Sequence, residues 1–290
     1  MQSFFCLLIL FYFSFISANE EHTVTRKVSF QVPDVEKFIA EGLNNHNSRD
    51  GRIGSGYVAS SYDYPFVGDA TTTWPYNHNT TCTGSLISII WFITARSCII
   101  NSANIMATYF TVYFGSAIRS SPYRVFNYGD YAIFKTGTTG NPDPEYALVR
   151  LGIIMNLSDT IKPILLPRRS QSNQVSPFPE HRVDIVGWGE INSAGEPTLY
   201  LRYANFYNNE AWDCPISGMI TRYHFCSRTY SLAVLYSGDF GGPVVVYDQY
   251  YGEYILIGVT NYFIYNHAIS TNIGLFMEFI SETTGIPWRY

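Results

Sequence analysis

Short runs of apolar and β-branched residues, each bounded by turn-forming residues, follow one another along most of this chain. Residues 109–114, 183–186 and 244–247 have the composition and alternation of strands. A polar turn after residue 247 leads into a second apolar run at 254–259, which predicts a β-hairpin. Only the tail, residues 276–284, has a helical pattern, and Gly285 and Pro287 close it. The chain is therefore expected to be all-β with a C-terminal helix.

Composition agrees with a strand-rich, folded protein. Of the 290 residues, 17% are aromatic and 14% are charged, and aromatic side chains suit half-buried pleated surfaces. So many aromatic side chains, with so few charged ones, also exclude an intrinsically disordered chain. A net charge of -5 gives no basic surface for nucleic acid or anionic membrane, so neither is expected as a partner.

The N-terminus resembles a secretion signal. Residues 4–16 are apolar except for Ser14, and the small residues Ser17 and Ala18 precede an acidic stretch. We interpret residues 1–18 as a cleaved signal peptide of a secreted, extracellular protein. The alternative is a membrane anchor, but spanning a bilayer takes about 20 apolar residues and this run is shorter. Cleavage removes Cys6 and leaves four cysteines, an even number that suits an oxidising compartment.

A polar segment, residues 19–52, follows the signal. Its last part, 44–52, is too polar to join a core, so the segment is expected to be a flexible, protease-accessible pro-segment before a domain at 53–290. Two Asn-x-Ser/Thr sequons, at Asn79 and Asn156, are candidate N-glycosylation sites.

Six segments, taken in order, resemble the trypsin and chymotrypsin family of serine proteases. They are residues 52–56, 82–98, 145–151, 161–167, 187–189 and 237–243. The short pro-segment, the Arg52-Ile53 junction and the chain ending look most like the Jonah-type digestive proteases of flies. The resemblance implies two packed six-stranded antiparallel β-barrels, at about 53–165 and 170–275, with a C-terminal helix and a cleft between the barrels.

The family performs acyl transfer with a serine nucleophile, a histidine base and a buried aspartate that orients the histidine. In this chain the histidine position is Ser97, the aspartate position is Glu145 and the nucleophile position is Phe240. Glu145 keeps a carboxylate but lengthens its side chain by one methylene. Phe240 is decisive, because a benzyl group offers no lone pair and no ionisable proton. The sequence thus predicts a degenerate triad with no catalytic residues.

The sequence gives little support for a replacement catalytic histidine, a metal site or a nucleotide-binding site. The remaining histidines, His22, His46, His78, His181, His224 and His267, are interpreted as surface or capping residues. No metal-ligand spacing or phosphate-binding glycine loop is present, so neither metal nor cofactor is expected.

The resemblance also places the residues of a specificity pocket. Val234 would lie at its base, Asn261, Tyr262 and Phe263 along the substrate-binding strand, and Gly274 on the opposite wall. Phe263 would narrow or close the entrance unless the adjacent loop moves.

The cysteines complete the resemblance. The family's pocket disulfide is absent at both ends, Tyr236 standing at one of them, which leaves Cys82 with Cys98 and Cys214 with Cys226 as the implied bridges.

The family's activation switch is present in outline. Cleavage after Arg52 would free the Ile53 ammonium, which in the family folds inward onto the aspartate that is Asp239 here. The alternative is that Asp239 is only a satisfied buried carboxylate needed for folding.

Three functions remain open at this point. The first is a catalytically inactive secreted homologue that binds another protein, such as a protease, an inhibitor or an extracellular surface, and that is expected to be a monomer. The second is an active endopeptidase with an unusual base. The third is a structural or storage protein without a binding role.

Overall fold

The computed structural model describes residues 24–34, 56–136, 144–171, 181–190, 195–209, 214, 223–231, 235–249 and 252–289. The first 23 residues, with the signal and Cys6, lie outside this set, as do Arg52, Ile53 and Val234.

The first barrel closes from six antiparallel strands. The strands are β3 (Val67–Trp74), β4 (His78–Ser88), β5 (Trp91–Thr94), β6 (Tyr109–Phe114), β7 (Val125–Thr136) and β8 (Ala147–Leu151). Their order is β6-β3-β4-β5-β8, and β7 pairs with both β6 and β8 to complete the ring.

The second barrel repeats this plan. The strands are β9 (Arg182–Gly187), β10 (Arg202–Asn209), β11 (His224–Arg228), β12 (Pro243–Asp248), β13 (Glu253–Ile264) and β14 (His267–Asn272). Their order is β11-β14-β13-β12-β9-β10, and β10 pairs with β11 to close the barrel. The helix α1 (Met277–Thr284) follows and ends at Gly285, which adopts the left-handed conformation with φ 73°. The predicted all-β fold of two six-stranded barrels with a C-terminal helix is confirmed.

Large side chains fill the barrel interiors as the alternation requires. Phe92, Phe110, Phe114 and Phe134 are fully buried in the first barrel. Gly68 faces this cluster, and a Cβ there would lie 2.7 Å from the Phe92 ring. Part of the aromatic content of the sequence thus fills the first barrel, at the close packing typical of protein interiors.

A buried ionic cluster joins the barrels. Asp69 on β3 accepts two hydrogen bonds from Arg119, at 3.0 and 2.9 Å, and pairs with Arg124 at 2.5 Å. Burial raises the pKa of Asp69, but the two guanidinium groups outweigh it and hold that pKa below its ordinary value. Arg119 also donates to the carbonyl oxygens of Trp188 and Thr198, so the cluster fastens the first barrel to the second.

Two short strands extend the sheets. Strand β2 (Tyr57–Val58) pairs with β10, which attaches the start of the predicted 53–290 domain to the second barrel. Strand β1 (Val24–Ser29) belongs to the predicted pro-segment and pairs with β7 of the first barrel. The expectation of a flexible linker is therefore wrong for residues 24–34. Val28 and Phe30 are buried, which the polar surroundings in the sequence concealed.

In the ranges given above, no helix is long and apolar enough to cross a membrane.

Candidate active-site cleft

An open cleft of about 540 Å³ receives side chains from both barrels. The first-barrel half of the chain contributes Trp74, Tyr76, Ser97 and Ile105, and the second contributes Ser237, Phe240, Asn261 and Tyr262. The structure thus brings Ser97 and Phe240, two of the three predicted triad positions, to one cleft.

Ser97 lies in the 3₁₀ turn Arg96–Cys98 that follows β5, and its side chain is exposed. The disulfide between Cys82 and Cys98, with Cα atoms 6.3 Å apart, ties this turn to β4. A serine hydroxyl does not take up a proton near neutral pH, so it does not replace an imidazole as a base.

Glu145 lies just before β8 and is largely buried. Its carboxylate pairs with the Arg96 guanidinium at 2.5 Å, and its carbonyl oxygen accepts a hydrogen bond from Asn261 Nδ2 at 2.6 Å. Asn261 in turn accepts from Thr271 Oγ1 at 2.6 Å. The third predicted triad position therefore lies behind Asn261, a residue that lines the cleft, and its carboxylate faces a cation. The carboxylate thus pairs with a guanidinium, which stays protonated and does not act as a base, whereas the family's aspartate orients a histidine.

Phe240 occupies the turn 237–242, which the glycine backbone makes possible. Gly238 and Gly241 adopt φ values of 92° and 83°, in the region that favours glycine. The Phe240 carbonyl oxygen accepts from the Thr83 backbone N–H at 2.9 Å, and the Gly241 N–H donates to Thr260 at 2.8 Å.

The Phe240 side chain stacks on Phe263 of β13. The ring centroids are 5.4 Å apart and the planes are inclined by 24°. Both side chains are only partly buried. Phe240 packs against a core cluster that extends through both barrels, and Phe263 packs against a cluster of the second barrel. At the predicted nucleophile position the cleft therefore has an aromatic pair and no hydroxyl group.

Asp239 points away from the cleft and is completely buried. Its carboxylate accepts backbone hydrogen bonds from Gly189 at 2.8 Å and from Tyr236 at 3.0 Å. Burial raises the pKa of Asp239 to about 7, against the lowering effect of the two hydrogen bonds and of Arg119. A Cβ at Gly187 or Gly189 would overlap the carboxylate, which explains the glycines that flank Trp188. Its predicted partner, Ile53, lies outside the described residues.

The remaining pocket positions divide in two. Asn261 is buried at a register shift of β13, and Tyr262 lies on the cleft rim with 38% of its surface exposed. Gly274, however, lies in the 3₁₀ turn Ile273–Phe276 that leads into α1, and the residue paired with Phe263 across the sheet is Ala268. The resemblance gave Gly274 as the small residue on the opposite wall, whereas the register of β14 pairs Ala268 with Phe263.

The second predicted disulfide, between Cys214 and Cys226, is also present, with Cα atoms 6.1 Å apart. Cys226 belongs to β11, so this bridge fastens residue 214 to the second barrel.

Two histidine interpretations are wrong. His78 and His181 are exposed as expected, but His224 and His267 are buried within β11 and β14. Burial lowers the pKa of His224 to about 4, so this side chain is neutral at physiological pH. Whether His224 and His267 are buried depends on the register of their strands. The turn residues next to them in the sequence do not reveal that register.

Within the part of the chain that the structure describes, no three His, Cys, Asp or Glu side chains lie close enough to hold a metal ion. Both sequon residues, Asn79 and Asn156, are exposed.

Sequence reasoning missed two features of this site. One is Arg96, whose place beside the histidine position could have suggested a partner for Glu145. The other is the turn Pro75–Asn77 between β3 and β4, which holds Tyr76 in the left-handed region at φ 68° and fully exposed at the cleft. The proline within an aromatic, asparagine-rich stretch was a turn signal.

Comparison with known proteins agrees with this geometry. The sequence model of the trypsin family matches residues 53–283. The collagenase of Hypoderma lineatum is 28% identical over 253 residues, which cover 82% of this chain and 89% of the collagenase. Serine protease SP24D of Anopheles gambiae is 27% identical, covering 73% of this chain and 72% of that protease.

Solved structures give the same result. A collagenase structure superposes with a TM-score of 0.67 and 25% identity, covering 80% of this chain and 99% of the collagenase. The scabies mite inactivated protease paralogue S-D1 gives a TM-score of 0.64 at 20% identity, covering 79% of this chain and 96% of the paralogue. At that identity the second likeness concerns the fold alone.

Proposed function

The chain belongs to the trypsin family, and we propose that it is a secreted, catalytically inactive member that acts by binding another protein through its cleft. The observation that carries the proposal is the Phe240 ring stacked on Phe263 at the position of the family's nucleophile. Without a hydroxyl group there, no acyl-enzyme can form at this position.

The other two triad positions support the same proposal. Ser97 provides no base, and the Glu145 carboxylate is engaged by Arg96. Loss of a triad costs about a million-fold in turnover in subtilisin. The oxyanion-hole and binding contributions that would remain act on a substrate carbonyl, and the Phe240 ring competes with that carbonyl for space.

Family membership alone does not decide between activity and inactivity. Two of the relatives are named as a collagenase and a serine protease, whereas one neighbour of the same fold is named as an inactivated protease paralogue. The proposal therefore depends on the residues of this cleft.

The cleft surface supports protein binding. Tyr76 is fully exposed and Tyr262 is partly exposed at its edges, and tyrosines at the rim of a cleft are a common anchor in protein interfaces. The N-terminal signal pattern and the two disulfides support secretion.

Inactivity is tested with the pure protein cut after Arg52, made in a host without secreted proteases. We expect no hydrolysis of peptide or ester substrates and no labelling by a fluorophosphonate. Turnover that co-purifies with the protein through two orthogonal columns would overturn the proposal.

A triple variant, Ser97→His with Glu145→Asp and Phe240→Ser, tests whether the pocket can still place a substrate once the triad residues are restored. We expect at most feeble turnover, because Phe263 and the missing pocket disulfide still leave substrate poorly placed, and a misplacement of about 1 Å can cost a hundred-fold. Turnover within about ten-fold of an ordinary family member would mean that the pocket is intact.

Binding is tested with the immobilised protein and fluid from the secreting tissue. A partner of the cleft should be lost with the double variant Tyr76→Ala and Tyr262→Ala. It should be retained with Tyr123→Ala, since Tyr123 is 82% exposed but does not line the cleft. Failure to find any protein with this pattern would favour a purely structural role.

A further inference from the structure

The N-terminal strand β1 is built into the first barrel. Residues Val24–Ser29 pair with 131–136 of β7 in an unbroken antiparallel register of six residue pairs. Beyond the strand, the Phe30 N–H donates to the Asp130 carbonyl oxygen at 3.0 Å and the Gln31 N–H donates to Thr108 at 2.9 Å. On β7, strand β6 pairs only with residues 125–128. Strand β1 therefore pairs with the later part of the same edge of β7, residues 131–136.

The same segment contributes side chains to the barrel core. Val28 and Phe30 keep only 4% and 8% of their surface exposed. The Phe30 ring stacks on Phe110 with centroids 5.8 Å apart. A Cβ at Gly129 would come within 2.9 Å of the Phe30 ring, so the glycine in β7 leaves room for this side chain.

Two further side-chain contacts, on Lys27 and Val24, join β1 to β7. The Lys27 ammonium lies 3.7 Å from the centre of the Tyr131 ring, a cation–π contact. Thr136 Oγ1 donates to the Val24 carbonyl oxygen at 3.2 Å.

From these contacts we propose that residues 24–31 stay bound to the first barrel after the chain is cut between residues 35 and 55. Hydrolysis adds one water across the peptide bond and leaves a carboxylate on the short fragment and an ammonium on the long one. Residues 19–52 contain no cysteine, so no disulfide of this segment holds the fragments together. The cut protein is a noncovalent two-chain complex in which the short fragment supplies a strand and two core side chains.

This inference does not depend on the proposed inactivity. It concerns the pairing of β1 with β7, and its outcome is read without any activity or binding partner.

The test uses the full secreted chain with the recognition sequence of a site-specific protease in place of residues 40–46. After complete cutting, the protein is passed through size exclusion at micromolar concentration in native buffer, and each peak is measured by intact mass. We expect both fragments in one peak in equal amounts, and separate peaks in denaturant. Elution of the short fragment by itself in native buffer would overturn the proposal.

A matched pair of variants assigns the binding to the core contact. Val28→Ala and Val32→Ala remove the same two methyl groups, but Val28 is buried whereas Val32 is 64% exposed. Dissociation of the short fragment should become about ten-fold faster with Val28→Ala, from the hydrophobic value of two buried methyl groups, and should not change with Val32→Ala. Equal dissociation rates of the short fragment in the two variants would contradict the proposal that the buried contacts of Val28 help to hold it. The covalent chain is intact during folding, so a loss of binding after the cut is not a failure to fold.

Discussion

The turn from Ser237 to Gly242 has a buried side and a cleft side, and they differ in how much change they tolerate. On the buried side, Asp239 and Gly241 lie against backbone and side chains with no space left for one further atom. On the cleft side, Phe240 touches Phe263 and remains partly exposed. The buried side fixes the shape of the turn, so the cleft side is free to carry a side chain unrelated to catalysis.

The largest effect is expected from Gly241→Ala. A Cβ there would overlap Thr94 Oγ1 and the Thr83 carbonyl oxygen, and φ is 83°. Overpacking against backbone together with a strained φ should cost about 5 kcal/mol of unfolding free energy. Denaturant unfolding measures this loss.

Gly252→Ala is the control for the strained backbone alone. Its φ is 68°, but the nearest atom to its Cβ would be Tyr247 Oη at 3.7 Å, an ordinary contact. We expect a cost of about 1 kcal/mol. Similar losses for the two glycines would mean that the buried side of the turn is not tightly packed.

The next effect concerns Asp239 and pH in the uncut chain. Its pKa is raised from 3.8 to about 7 in the folded state, so the folded protein holds this proton more tightly than the unfolded chain does. The stabilisation is fully present below about pH 4 and is lost as the pH rises to about 7, by up to about 4 kcal/mol. The difference in unfolding free energy between wild type and Asp239→Asn should therefore show a slope, falling as the pH rises across this range.

Cutting after Arg52 sharpens this prediction. If the Ile53 ammonium pairs with Asp239, the carboxylate becomes charged and the slope should disappear, with a higher melting temperature at neutral pH. An unchanged melting temperature, with Ile53 still accessible to amine reagents, would mean that the activation motif no longer works.

A smaller effect is expected at the edge of the cleft, where Arg96 pairs with Glu145. Their side chains are 18% and 12% exposed, so Arg96→Met leaves a largely buried carboxylate without this partner. We expect a loss of about 2 kcal/mol. Arg150→Met is the control, because its pair with Asp130 is 36% and 45% exposed and should be worth less than about 1 kcal/mol. Equal losses would show that the Glu145 pair is only a surface contact.

The sequence was sufficient for the fold for a physical reason. Strand periodicity and glycine-bounded turns are local signals, and the buried side of the turn needs particular residue types at particular spacings. Asp239 with the glycines around Trp188 is such a set, and it belongs to the motifs whose resemblance to the trypsin family implied the two barrels and the two disulfides.

The other features depend on contacts between distant residues. The packing of Phe30 against Gly129 is a contact between residues far apart in the sequence. Neither residue stands out in its own segment, so the sequence gives no local signal for it. The burial of His224 and the position of Gly274 depend on strand register. A shift of one residue in the register would move every side chain of a strand to the opposite face of the sheet. The stacking of Phe240 on Phe263 likewise follows from β13 passing the turn, although the bulk of both residues could be read from the sequence.

The smallest effect is expected on the cleft side of the turn itself. Phe240→Ala removes a ring that is partly in solvent, so the loss of unfolding free energy should be about 1 to 2 kcal/mol, several times less than at the neighbouring Gly241. Phe263→Ala should cost a similar amount. In a double-mutant cycle the two rings should couple by about 0.5 to 1.5 kcal/mol, since an offset stack is worth that much beyond buried area. Coupling near zero would mean that the rings lie side by side without stabilising each other, and that the cleft can open at little cost. A loss at Phe240 as large as at Gly241 would contradict the comparison, because the ring would then hold the turn in place instead of resting on it.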